Sequence, residues 1–420
     1  MADIRPFHAV RYAAGTPLDR VVTQPYDKIP PELRQTYLAR DPHNLVNLIL
    51  PDEGGGMDKY RHSAALFQQW YAAGVFARDA AAGIYPYRQQ FDIFGQSHVR
   101  GGFIARIHVE PYEKKIVFPH ERTLAKPKAD RLSLLRAGRV HYGLIFLLYE
   151  DDGRVQAILD AAMQSAPCAA LTDDFAVRNE LWQIRNAARV QAVQAAMADK
   201  QVFIADGHHR YETSLAYTAE QPDDLCAQYT MAMFVNIRGP LVILPTHRSV
   251  YGIENYAPAQ VRQALQRDFT LQPCSTLDAL LAATRAPQGV ACLGVYDGKE
   301  FYAATLTDLA PMRAAAPEHS DDWRALDVAI LHTLVIERAL GISAARVEQE
   351  AGVHYHRDPQ EALQRVQSGA AQCAFFLRPT AAAQVCAVAR NGEVMPQKST
   401  DFYPKLLSGL TMYALDLQGA

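Results

Sequence analysis

No run of this chain approaches the ~18 consecutive apolar residues that a membrane-spanning helix needs. The opening Met1-Ala2-Asp3-Ile4-Arg5-Pro6-Phe7 lacks the apolar core of a secretory leader. Six cysteines, at 168, 226, 274, 292, 373 and 386, include no Cys-x-x-Cys pair. That spacing excludes a zinc ribbon and a disulfide framework, and it fits a reducing compartment. Surplus charge of one sign is missing too, with 42 Lys and Arg against 45 Asp and Glu. Without a clustered basic face, neither nucleic acid nor a membrane surface is an expected partner. Internal repeats, coiled-coil heptads and low-complexity tracts are also absent. These absences together predict a cytoplasmic protein.

What is present is ordinary in amount: 49% hydrophobic and 21% charged residues over 420 positions, enough for two or three domains at about 150 residues each. The most informative stretch is Val202-Phe203-Ile204-Ala205-Asp206-Gly207-His208-His209-Arg210-Tyr211. An apolar run predicts a buried strand ending at Asp206, and Gly207 lets the backbone turn. A helix follows, with Tyr211 and Leu215 on one face. Such a turn aims unpaired N–H groups and the positive end of a helix dipole at one point. Arg210 adds a permanently charged fork, so the stretch reads as a phosphate site. The alternative is structural: Asp206 caps the helix and the histidines cover a turn.

Before this stretch, Pro25-Tyr26-Asp27-Lys28-Ile29-Pro30-Pro31 predicts a rigid turn that opens a helix over 32–39. A second helix is expected over 58–73, and period-two patterns over 84–93 and 101–109 predict a hairpin. Phe118-Pro119-His120-Glu121-Arg122-Thr123-Leu124-Ala125-Lys126 is a dense polar loop; Glu121 and Lys126 are candidates there, against the alternative of surface ion pairs. A long helix is expected over 180–197, and strands over 229–237 and 241–244 as a hairpin. Beyond residue 251 the pattern begins afresh. It gives helices over 257–267 and 277–283, a hairpin turning at Asp297-Gly298, a long helix over 323–339, a helix over 359–368 and a strand over 373–377. The expected fold is mixed α/β (α+β). A first unit spans 1–250 and holds the Asp206–Arg210 core (about 176–250); a C-terminal α+β unit spans 251–420 and ends in a functional tail loop. In that tail Lys398-Ser399 is no Walker A, because Gln397 stands where its second glycine belongs. Lys398, Ser399 or Lys405 could still reach an anion.

Four phrases in order, Gln24-Pro25-Tyr26-Asp27, Pro119-His120-Glu121-Arg122-Thr123, Ala205-Asp206-Gly207-His208-His209-Arg210-Tyr211-Glu212-Thr213 and Met395-Pro396-Gln397-Lys398-Ser399-Thr400, resemble the domain-of-unknown-function 1015 family over nearly the whole chain. Asp206-Gly207-His208-His209-Arg210 is also similar to the Gly-x-x-Arg phosphate box of the ParB/sulfiredoxin superfamily, which includes free-serine kinases. That likeness implies a ParB/sulfiredoxin-like mixed sheet, Gly207 beneath a phosphate and Arg210 gripping it. Sulfiredoxins carry a reactive cysteine where His208 stands, so their redox reaction is not implied.

The expectation is therefore an enzyme that moves a phosphoryl group to or from a small hydroxylated metabolite such as serine. Gly207, His208, Arg210, Lys126, Lys398 and Ser399 would hold phosphate or nucleotide. Asp206, His209 and Glu121 are candidates for catalysis. Mg²⁺ would arrive with ATP or ADP, with Asp206 as its ligand. A metal-dependent hydrolase is an alternative, because His208 and Glu212 share a helix face and His354 and His356 share a strand face. A non-catalytic nucleotide sensor is another. The expected partner is a small phosphorylated molecule, with self-association left open.

Overall fold

Two compact units emerge in the computed structural model, Met1–Leu241 with Pro404–Ala420, and Val242–Tyr403. The structure describes residues 2–122, 125–285, 289–349 and 351–418, excluding the side chains of Ala125, Lys126 and Glu348. The closing segment from Pro404 belongs to the first unit, whereas the sequence pattern grouped it with the second.

Alternating and apolar segments of the first unit assemble a mixed nine-stranded sheet. Its strands are β1 (Ile4–Arg5), β2 (Tyr85–Ile93), β3 (Gln96–His108), β4 (Val117–Phe118), β5 (Ile145–Tyr149), β6 (Ala169–Thr172), β7 (Arg178–Leu181), β8 (Val202–Asp206) and β9 (Tyr229–Asn236). Their order is β4-β8-β5-β9-β3-β2-β7-β6, with β1 on β3. The β8–β4 and β9–β5 pairs run parallel, and the remaining pairs are antiparallel. Strands β5 and β8 are apolar almost throughout because they lie in the interior of the sheet. Helix α2 (Ala187–Met197) turns Val190, Val193 and Met197 into the same core as Leu147, Ile204 and Phe234. Each such side chain, fully buried, stabilises the fold by about 1.5–3 kcal/mol. Two further helices matter below: α1 (Ala125–Gly138) and α3 (His208–Glu220).

Three local expectations change. The helix expected over 180–197 begins at Ala187, where the Asn186 side chain caps it. Arg178–Leu181 is strand β7, paired with both β2 and β6. Strand β9 forms no hairpin with the next strand; it inserts between β3 and β5, and Val242–Ile243 pairs with Phe402–Tyr403 in the second unit. The long helix over 323–339 breaks into Asp321–Arg324, Asp327–Ile330 and a π-helical segment Leu331–Glu337. In each case tertiary pairing or packing overrides a local period.

The second unit holds a six-stranded antiparallel sheet: β10 (His247–Val250), β11 (Phe269–Cys274), β12 (Ala291–Tyr296), β13 (Phe301–Leu306), β14 (Val353–His356) and β15 (Cys373–Phe376). The order is β11-β13-β12-β15-β10-β14. The expected hairpin at Asp297-Gly298 joins β12 to β13, with Asp297 accepting from the N–H groups of Lys299 and Glu300.

Candidate functional site

The β8-to-α3 turn has the local geometry its residues dictate. Pairing of β8 with β5 slips between Ile204 and Asp206, so Ala205 is an extra residue and the strand end bends. Gly207 follows at φ +93°, in the left-handed region that glycine enters at little cost. A Cβ there would meet the Arg210 guanidinium at 3.1 Å, so Arg210 folds back over the glycine. Arg210 donates to the Leu144 carbonyl and, at 2.8 Å, to Asp206 Oδ2. Asp206 therefore acts as an ion-pair partner, and the helix N-cap is Gly207, without a side-chain cap. Arg210 is only 12% exposed. It is part of the fold as well as a candidate grip.

Cations crowd this carboxylate. Lys405 Nζ stands 3.7 Å from Asp206 Oδ1. Burial would raise the Asp206 carboxyl, yet Lys405, Arg210, Lys28 and His208 outweigh it and hold the group far below the usual carboxylate range. Arg100, buried in β3, also feels Asp206. Its guanidinium reaches the Gln89 amide oxygen and, at 2.6 Å, the Pro404 carbonyl, and it lies over the Phe146 ring. Burial lowers its pKa to about 10, against the opposing pull of Tyr87 and Asp206. Asp27 is the second acid of the group, 3.8 Å from Lys28 and within electrostatic reach of Arg210. The turn thus gathers Lys28, Arg100, Arg210 and Lys405 with the carboxylates of Asp27, Asp206 and Glu121.

A histidine pair backs the turn. His120 is fully buried and its Nδ1 lies 2.6 Å from the Ile204 carbonyl, so that nitrogen carries the proton. The His120 N–H donates to His208 Nε2 at 3.3 Å, which leaves the proton of His208 on Nδ1, 3.6 Å from Glu121 Oε2. Burial depresses both imidazoles; Glu121 and Asp206 pull His120 the other way, while the charge of His120 depresses His208 further. His209 is half-buried and also lowered by burial, against the pull of Asp27, Glu212 and Glu121. Glu121, Asp206, Gly207, His208, His209 and Arg210 thus fall in one neighbourhood of the first unit.

Other sequence candidates lie elsewhere. The side chain of Lys126 is outside the described residues. Lys398 and Ser399 belong to the second unit, in a turn where Lys398 has φ +56°. There the Lys398 carbonyl accepts from the buried Arg248 at 3.0 Å, and Ser399 donates to the Pro396 carbonyl. Glu212 pairs with Lys128 at 3.2 Å. His354 stacks on Tyr251, and His356 Nε2 lies 2.8 Å from Ser249 Oγ. Among the described residues, no group of three or more His, Cys, Asp or Glu converges to hold a metal ion.

Sequence reading assigned no role to Arg100 or Lys28, nor to His141. Arg100 and His141 sit at strand positions whose polarity reads as solvent-facing. His141 lines a cavity of about 70 Å³ on the flank of Arg210, together with Tyr26, Arg131, Tyr142, Thr230 and Ser408. Tyr26, from the Gln24–Asp27 phrase, lies 4.3 Å beneath the Arg131 guanidinium. Arg131 is in turn paired with Asp130, which Lys59 and Tyr60 also bind.

The chain belongs to the family of proteins of unknown function DUF1015, whose profile matches residues 4–329. No curated protein matches it. Similar solved structures include a free serine kinase in complex with AMP, at 13% identity, covering 75% of this chain and 93% of that one, with a TM-score of 0.37. A conserved hypothetical protein from Pyrococcus furiosus is 11% identical over 75% of this chain and 97% of its own, with a TM-score of 0.36. SbnI from Staphylococcus aureus, truncated at its C-terminus, is 12% identical over 76% and 90%, with a TM-score of 0.37.

Proposed function

We propose that this chain is a phosphate-handling enzyme that moves a phosphoryl group between a nucleotide and a small hydroxylated metabolite such as serine. The observation that carries the reading is the β8–α3 turn itself: Arg210 folds over Gly207 at the start of α3, with Lys405 3.7 Å from Asp206 and Lys28 within its electrostatic reach. Cationic side chains gathered where a glycine opens a helix suit a phosphate, which the helix N-terminus also favours. Phosphoryl transfer asks chiefly for such charge neutralisation and for positioning.

Arg210 and Lys405 hold the phosphate end, with the first-turn N–H groups of α3 beside them. Asp206 stays ionised, because its neighbours hold its proton affinity so low, and it orients both cations. That makes it a weak proton acceptor near neutrality and leaves Glu121 or His209 to receive the proton of the acceptor hydroxyl. The freed oxygen forms the new P–O bond as the bond to the nucleotide's leaving phosphate breaks. Asp206 is the acid at hand for Mg²⁺, but Arg210 and Lys405 already face its two oxygens, so the ion would be carried mainly by the phosphates. It would supply further neutralisation of phosphate charge.

Isothermal titration with ADP, ATP and CTP, each with Mg²⁺, tests this. Binding of at least one, weakened about tenfold by Lys405→Met, is expected. A folded sample that binds none of the three removes the proposal. Binding without turnover of any hydroxylated acceptor would move the protein to the nucleotide-sensing alternative.

A further inference from the structure

A row of polar side chains crosses the sheet of the first unit and ends on the backbone that carries Lys405. Asn179 in β7 pairs with Gln89 in β2, and Gln89 pairs with Arg100 in β3, so the register places all three on one face. Tyr87, two residues before Gln89, shares that face. All four are buried.

Donor chemistry fixes the direction of the bonds in this row. A guanidinium only donates, so the Gln89 atom that meets Arg100 is its amide oxygen. The Gln89 amide nitrogen then has two protons to give elsewhere. One goes to Asn179 Oδ1 at 3.0 Å and the other to the Lys405 carbonyl at 3.1 Å. Asn179 Oδ1 also accepts from the Tyr87 hydroxyl at 2.5 Å, and Asn179 Nδ2 donates to the Val177 carbonyl at 2.8 Å. Arg100 donates at 2.6 Å to the Pro404 carbonyl. Two consecutive carbonyls, at 404 and 405, are thus held by side chains of adjacent strands. Lys405 itself lies outside any helix or strand, so these side chains take the part a ladder would play. Its own side chain, only 10% exposed, stands 3.7 Å from Asp206.

We propose that Gln89, oriented by Asn179 and Tyr87, is a positioning residue: its grip on the Lys405 carbonyl sets the Lys405 ammonium beside Asp206, and with it the affinity of the turn for phosphate. The part that concerns phosphate rests on the phosphoryl-transfer reading above; the placement of Lys405 does not. Lysine is a point charge on a flexible four-carbon stem, so where that charge rests depends on how firmly its backbone is held.

Partial acylation with acetic anhydride, read by mass spectrometry, tests the placement, with the exposed Lys299 as internal standard. Gln89→Met, close in volume, removes both donations. Should it not fold, Gln89→Glu keeps the contact with Arg100, and its ionised carboxylate gives the Lys405 carbonyl no proton. In either variant Lys405 is expected to react severalfold faster while Lys299 does not change. ADP affinity should fall severalfold, toward the loss that Lys405→Met shows, and the Gln89 change should cost nothing further in a Lys405→Met background. A role in the fold at large would give additive losses instead. Additive losses, or an unchanged Lys405 rate, overturn the proposal. If ADP fails to bind the parent protein while Lys405 labelling rises in the variant, the phosphoryl-transfer reading falls and the placement of Lys405 stands. If ADP binds and the labelling does not change, the positioning role falls alone.

Discussion

Arg210 serves the main chain and the candidate ligand with one guanidinium, so its removal has two separable effects. Arg210→Ala is expected to cost roughly 1.5–3 kcal/mol in ADP affinity, the scale of a charge-assisted bond. The same change strips the Leu144 carbonyl of a donor and Asp206 of a partner, costing roughly 1–3 kcal/mol of stability. Titration reads the first effect and urea unfolding the second; a variant that loses neither would make the turn inert. Acid acts on the same neighbourhood with a definite sign. A histidine whose folded pKa lies below its unfolded value of about 6.5 binds protons more readily when unfolded. Its contribution to stability is intact above about 6.5 and is lost as pH falls from there toward the folded value. His120, His141 and His208 all behave so, with His141 held near about 4. Asp206 adds a loss at lower pH: its stabilisation is present above the unfolded pKa of about 3.9 and disappears as pH falls through its depressed folded value. Urea midpoints should drop between pH 7.5 and pH 4.5. In His141→Gln that drop should be smaller by about 2 kcal/mol. An equal drop in both proteins would show that His141 titrates normally.

Single elements carry their own tests. At Gly207 an added Cβ meets the φ +93° penalty and the Arg210 guanidinium at 3.1 Å. Gly207→Ala should therefore destabilise by roughly 1–2 kcal/mol, with ADP affinity falling as Arg210 is pushed aside. Unfolding and titration on one preparation would show both losses or reject the strain argument. The β2–β3 hairpin offers the opposite case. Phe94 sits at φ +54° before Gly95 at φ +72°, and is 75% exposed. Both central residues are left-handed, as in a type I′ turn, where Asn-Gly is preferred. Phe94→Asn should raise the urea midpoint, worth about 0.5–1 kcal/mol; a lower midpoint would mean that the ring is held by contacts its exposure does not suggest. The element-level failures have one cause. Residues 178–181 repeat as readily in a helix as in a strand, and β2 and β6 on either side decided the matter. Strand β8 and helix α3, by contrast, were legible because an apolar run, a glycine and a helical period follow one another within a single stretch.

For the whole molecule the decisive feature is the return of the C-terminal segment to the first unit. Ser408 pairs with Thr23, Met412 with Val10, and Tyr413–Ala414 with Val140–His141, while Lys405 reaches Asp206. A chain ended after Tyr403 should lose ADP binding and amide protection in β8 and β9, read by hydrogen exchange. Unchanged protection there would show that the segment is an accessory.

The sequence by itself determined the class of fold, the strand–turn–helix and the residue types gathered at it. These follow from hydrophobic period, from the freedom of one glycine and from groups adjacent in the chain. The tertiary structure alone decided which charges meet there. Arg100 and Lys405 come from a mid-sheet strand and a distant tail, and His141 from a two-residue strand. Their partners are set by register and chain return, and no local pattern encodes either.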